Sequence, residues 1–153
     1  MVTDRRILLG QLEEAVQDII QAVQEIESPE GLQVDDWSAK DTLGHIAFWH
    51  ESFARNVRAL VEGTEPDVLK GSYPDLNRAG VELSAAMSVG QITDRIRDAQ
   101  DVIRRNILIL PADQRIPYRK GSRDYTPDEH LETVRDHIRA HLKRIEKAKH
   151  RRR

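Results

Sequence analysis

His137 and His141 stand four residues apart in the stretch HLETVRDHIRAHLKRI, with His130 seven residues ahead of His137. On a helix, that spacing brings two side chains to about 40° of one another and one turn, about 5.4 Å, apart along the axis. Imidazole is the commonest protein ligand for zinc, nickel and similar ions, so such a pair can hold one ion. A catalytic site of this kind takes a third ligand and leaves a position for water or substrate. Val134, Ile138 and Ile145 fall within about 60° of the pair, which sets it on or at the border of an apolar helix face. A histidine whose ring nitrogen finds a partner is equally at home in a helical core, so the pair alone does not define a site.

A third ligand must come from another helix, and DTLGHIAFWHESF offers His45 and His50. They flank opposite sides of the apolar face centred on Ile46, Trp49, Phe53, Val57 and Leu60, so direction does not choose between them. Depth does, once a topology is given. If a crossover makes this helix antiparallel to the last one, His45, seven residues past Ser38, is level with His141, seven before Ala148. In a simple up-down-up-down bundle His50, twelve residues past Ser38, would instead match His137, eleven past Thr126. The intervening segment GTEPDVLKGSYP, residues 63–74, carries two glycines and two prolines. Its twelve residues can reach about 40 Å, enough to run back along a helix of that length, and a simple hairpin would not need so many. The expectation is therefore His45, His137 and His141, with His50 in reserve.

The elements that must position these residues are helical. Ile7, Leu8, Leu12, Ala15, Val16, Ile19, Ile20, Val23 and Ile26 recur at steps of three and four, predicting helix one from Asp4 to about Ile26. Pro29 and Gly31 break the period before Ser38, with Asp41 three residues on, starts helix two, which runs to about Glu62. A third helical region begins near Asp75. A second start signal at Ser88 and Gln91 predicts a kink or break before Ile92, Ile96, Val102, Ile103, Ile107 and Leu110 resume the stripe and Pro111 ends it. After the basic loop PADQRIPYRKGSRDY, the run Thr126-Pro127-Asp128-Glu129 starts helix four. The expected fold is all-α: one four-helix bundle domain over residues 1–150, up-down-down-up with a long crossover between helices two and three, followed by a basic tail at 151–153.

Composition bounds the chemistry. The 153 residues suit one core; apolar residues at 39% and charged residues at 33% match helices with one wet and one buried face. The 24 basic and 26 acidic side chains leave a net charge of −2, with no basic face to draw in nucleic acid or an anionic membrane. With no cysteine, the chain carries no disulfide, thiolate metal site or thiol nucleophile of its own. The amino-terminal stretch MVTDRRILLGQLEEAV has no uninterrupted apolar run, so no signal peptide or membrane span is expected, consistent with a cytoplasmic protein.

The string WSAKDTLGHI, Trp37 to Ile46, followed near the chain end by HIRAH, His137 to His141, resembles the DinB-like superfamily of bacterial four-helix proteins. The continuation AFWHE looks especially like the branch that includes the colibactin self-resistance protein. Carried over residue by residue, the resemblance implies His45, His137 and His141 as a metal-binding triad in a crossover bundle. It also implies a metal-dependent enzyme acting on small molecules, a thiol-dependent transferase or hydrolase serving detoxification or stress protection, with a low-molecular-weight thiol as partner.

The ion such a triad would hold is divalent, zinc or nickel first among the candidates. Trp49 and Phe53 would wall the substrate pocket, although both equally suit a core. Arg115, Arg119, Lys120 and Arg123 are cationic anchors for a ligand or simply a solvated loop, and Glu51 or Asp136 could orient an imidazole. The alternative is a metal-free binding or sequestering protein, with a homodimer through helix faces open to either reading.

Overall fold

The computed structural model describes residues 4–151 and is helical, with only isolated β-bridges besides. Helix α1 spans Arg5–Gln24, α2 Ala39–Glu62, α3 Tyr73–Ser84, α4 Val89–Asn106 and α5 Pro127–Arg151, and a 3-10 turn occupies Pro29–Gly31. Arg151 is thus the last residue of α5, and the rest of the expected tail, residues 152 and 153, lies outside the described residues. The all-α expectation holds, with five helices among the described residues where four were expected.

Local chemistry sets the helix starts. Asp4 accepts the amide of Arg6 at 2.8 Å, Ser38 that of Asp41 at 3.1 Å, and Ser72 that of Asp75 at 3.2 Å, each satisfying a donor that the first turn leaves unpaired. Ser88 and Gln91 close both halves of a capping box, at 3.1 and 2.9 Å, and Thr126 with Glu129 does the same at 3.3 and 3.0 Å. The expected break before α4 is therefore complete. The third helical region is two helices, and the first begins two residues earlier than its apolar pattern indicated, because Ser72 caps it and Pro74 fits a first turn.

Helix α4 also stops short of Pro111. Arg5 Nη1 donates to the carbonyls of Ile107 at 2.8 Å and Leu110 at 2.6 Å, so a side chain from α1 satisfies the carbonyls at this helix end while Ile107 and Leu110 stay buried.

Contacts along the long helices run in consistent senses. From α1 to α5 they pass through Arg5–Asp128, Gln11–Arg135 and Glu25–Lys149, ascending together in both. From α2 toward α4 they run from Lys40 at the start of α2, bonded to Ala85 just before α4, to Glu51–Arg95 and His50–Gln100 midway along both, so the two helices run in the same sense. Between α2 and α5 the order reverses, with His45 near His137 and Phe53 near His130.

The return from α2 to α4 carries α3, packed close on α2. A Cβ on Gly44 would lie 2.7 Å from the Ser84 Cβ, and one on Gly80 would lie 2.8 Å from Phe48. Only glycine permits that approach. The irregular segments are tied down by Asn56, fully buried, whose amide donates to the carbonyl of Pro117 and whose oxygen accepts the amide of Asp67, both at 2.8 Å. Leu69 then pairs with the 118–120 backbone at 2.9 and 2.8 Å. These anchors place α3 and the loop before α5 over the seam between α2 and α5, where the site lies.

Candidate functional site

The seam holds a pocket of about 430 Å³. His45, Trp49, Ser52 and Phe53 line it from α2, and His130, Val134, His137, His141 and Arg144 from α5. Trp37, Tyr73, Asn77, Tyr118 and Tyr125 lie around it as well, so both tryptophans of the chain face it.

His45, His137 and His141 are the expected residues that meet. His137 Nε2 lies 3.0 Å from His141 Nε2 and 3.4 Å from His45 Nε2, and one ligand atom from each ring falls within 4.8 Å of the others. Among the described residues this is the group of histidines and carboxylates close enough to hold an ion. Tetrahedral zinc with nitrogen ligands at about 2.0–2.1 Å requires nitrogens about 3.3 Å apart, which these two separations straddle. A hydrogen-bonding account is poorer, because a single Nε2 of His137 cannot serve both neighbours as donor and acceptor at once.

Electrostatics favours the lone-pair form that a metal requires. Burial, followed by the neighbouring His141 and His137, pushes the His45 pKa down to about 3. Burial, then His137 and Arg144, brings His141 to about 3 as well. His137 is exposed at the pocket wall, yet the surrounding protein and then Arg144 lower its pKa too. All three imidazoles are therefore neutral near pH 7, with no proton to displace before an ion binds. Two features resist the ion. Arg144 Nη1 approaches His141 Nδ1 at 3.4 Å, toward the nitrogen that must carry the proton when Nε2 is a ligand. His45 Nδ1 is buried without a hydrogen-bond partner. Arg144 is half exposed and only loosely paired with Asp35 at 3.7 Å, so it has room to turn away, and the donor set fits a divalent ion.

His50 is not part of this group. Its Nε2 bonds to Gln100 Oε1 at 2.7 Å, facing α4 and away from α5, and the side chain is fully buried. Trp49 and Phe53 do line the pocket, Trp49 donating from Nε1 to Asn77 Oδ1 at 2.8 Å. The expected orienting carboxylates are engaged elsewhere. Glu51 is ion-paired with Arg95, and Asp136 with the adjacent Arg135.

Of the expected cationic anchors, Arg115 and Arg123 pair with Glu129, Arg119 lies 4.1 Å over the Tyr73 ring, and Lys120 is exposed. None of the four lines the pocket; among the described residues the formal cation that does is Arg144. Its position three residues after His141 was a usable signal, because that spacing keeps it on the same helix face. Tyr118 and Tyr125 sit in a loop without period and gave none.

The described residues thus form an all-helical protein whose interhelical pocket carries three convergent imidazoles, and a family model matches most of its sequence. Residues 9–142 match the family described as the mycothiol maleylpyruvate isomerase N-terminal domain. The chain belongs to that family, which has a DinB-like fold. The crystal structure of the mycothiol-dependent maleylpyruvate isomerase superposes with a TM-score of 0.73 at 9% sequence identity, covering 94% of this chain and 61% of that one. The two share a fold, and this chain spans about three-fifths of the enzyme's length. No match is found among curated proteins.

Proposed function

We propose that this protein is a thiol-dependent enzyme acting on small electrophilic molecules, with His45, His137 and His141 holding a divalent ion in its pocket. The observation that carries this reading is the convergence of three neutral Nε2 atoms from two helices on the wall of an aromatic cavity. Membership in a family described by a mycothiol-dependent isomerase supports the thiol. The contact order along the four long helices supports the up-down-down-up topology, with the return through α3 as its crossover. We further infer a cytoplasmic setting, where low-molecular-weight thiols are kept reduced.

When bound, a divalent ion on three neutral imidazoles lowers the pKa of a thiol or water beside it, supplying a nucleophile near neutral pH that a chain without cysteine cannot provide. The chain's own contribution is placement. Trp37, Trp49, Phe53 and Tyr118 exclude water from the pocket, Trp49 held in orientation by Asn77. Arg144 supplies positive charge beside the histidines for an anionic reactant. An isomerisation that uses a thiol without consuming it must add the thiolate to a conjugated double bond and expel it again after rotation, which a pocket of this size can contain.

Elemental analysis of untagged protein, beside turnover of maleylpyruvate with and without mycothiol, tests the reading. Near-stoichiometric zinc or nickel and thiol-dependent turnover are expected. Absence of metal after reconstitution would shift the reading to metal-free ligand sequestration, which the aromatic lining and the sealed Nδ1 of His45 favour.

A further inference from the structure

His130 belongs to the same pocket but to none of the chemistry above. Its ring lies flat on Phe53, with centroids 4.1 Å apart and planes 5° from parallel, and it meets Tyr118 and Tyr125 edge-on at 5.7 Å each. An imidazole held on three sides by aromatic rings is fixed in orientation. It is 6% exposed, and its Nδ1 is sealed without a hydrogen-bond partner. That leaves Nε2, which forms no hydrogen bond among the described residues and is not sealed as Nδ1 is, as the nitrogen available to whatever fills the pocket.

The tautomer follows from energetics. A buried N–H without an acceptor is rarer and more costly than an unpaired lone pair, so the sealed Nδ1 is the lone pair and Nε2 carries the proton. On the same wall Ser52, next to Phe53, is 1% exposed with a hydroxyl that has no partner. The Ser52 hydroxyl forfeits about 1–3 kcal/mol unless something in the cavity completes it, and the Nε2 proton of His130 is open to the same occupant.

We propose that His130, with Ser52 beside it, is a second ligand subsite that donates a hydrogen bond to an oxygen acceptor, a carbonyl or hydroxyl oxygen, about 10 Å along α5 from His137. The ligand then spans the pocket, its reacting end at the three histidines and an uncharged oxygen at His130, with its body against Trp49 and Tyr118. The proposal shares the pocket with the function above but stands on the unpaired polar atoms and not on the metal.

The test compares acetophenone with ethylbenzene, near-isosteric probes that differ by the carbonyl oxygen, titrated into the whole protein and followed by NMR. Wild type is expected to bind acetophenone roughly three- to tenfold more tightly. In His130→Phe, which keeps the aromatic stack and removes the donor, the preference should fall to about one, and His130→Gln should recover part of it. Metal content should stay at the wild-type value in each variant, and the melting temperature should not fall in His130→Phe, which keeps the stack on Phe53. Equal affinities for the two probes in wild type, or an undiminished preference in His130→Phe, would overturn the subsite. Mycothiol and maleylpyruvate, titrated separately into wild type and His130→Phe, assign the oxygen to thiol or substrate according to which loses affinity. If neither binds wild type, the proposed function fails while the acetophenone comparison still decides the subsite.

Discussion

Two groups of histidines share helices α2 and α5 and have opposite fates. His45, His137 and His141 turn their Nε2 atoms toward one another across the seam, whereas His50 and His130, also one from each helix, never meet. His50 turns to Gln100 on α4, and Phe53 lies flat against His130. The residue type and the helices are the same. The difference shows that histidine content does not make a site; what counts is which side of each helix faces the seam, and at what depth.

The largest expected effect separates the groups outright. His45→Ala and His141→Ala should each lower retained metal by at least about a hundredfold in elemental analysis, with small changes in melting temperature, since each removes one of three ligands at a pocket wall. Under the same measurement His50→Ala should keep its metal. Equal loss in all three variants would erase the distinction.

Acid sharpens the comparison next. Burial holds the pKa values of His50 and His130 at about 4, against 6.5 for a free histidine; in His50 the bond to Gln100 offsets part of the shift. Because the folded values are depressed, the unfolded chain takes up protons first as pH falls. Stability is therefore complete above about pH 6.5 and is lost progressively down to about pH 4, on the order of 3 kcal/mol for each histidine. Urea midpoints of metal-free protein across this range should show the loss, and His50→Gln should reduce it.

The converse of the first prediction is smaller. His50→Ala should destabilise by about 2 kcal/mol in urea titration, leaving a cavity and an unpaired Gln100, at unchanged metal content. Arg144→Gln should give the smallest effect, a few-fold gain in metal affinity by competition with a chelator. It removes a positive charge beside His141 that is already half screened by solvent. A loss of affinity there would mean that Arg144 supports the histidines instead of opposing the ion.

Much of the scaffold is legible in the chain. The caps at Ser38, Ser88 and Thr126 and the apolar stripes of α1, α2 and α5 are local signals, carried by side chains within one turn of the backbone they satisfy. The His137–His141 pair is legible for the same reason, because one helix alone sets its geometry. The start of α3 was less so, since Tyr73 and Pro74 read as part of an irregular connection until Ser72 is seen to cap them. The stop of α4 depends on Arg5, more than a hundred residues away in the chain.

By itself, then, the sequence determined helices, breaks and a histidine pair one turn apart, and through the length of the 63–74 connection it led to the expectation of His45 as the pair's partner, with His50 in reserve. Only the tertiary structure decided how closely His45 approaches the pair, that among the described residues Arg144 and not the basic loop lends the pocket its charge, and that His130 is boxed by Phe53, Tyr118 and Tyr125. The physical reason is range. Caps and periodicity act over three or four residues, whereas the meeting of α2 with α5 depends on how the whole chain closes its core, including the close approach of α3 that Gly44 and Gly80 permit.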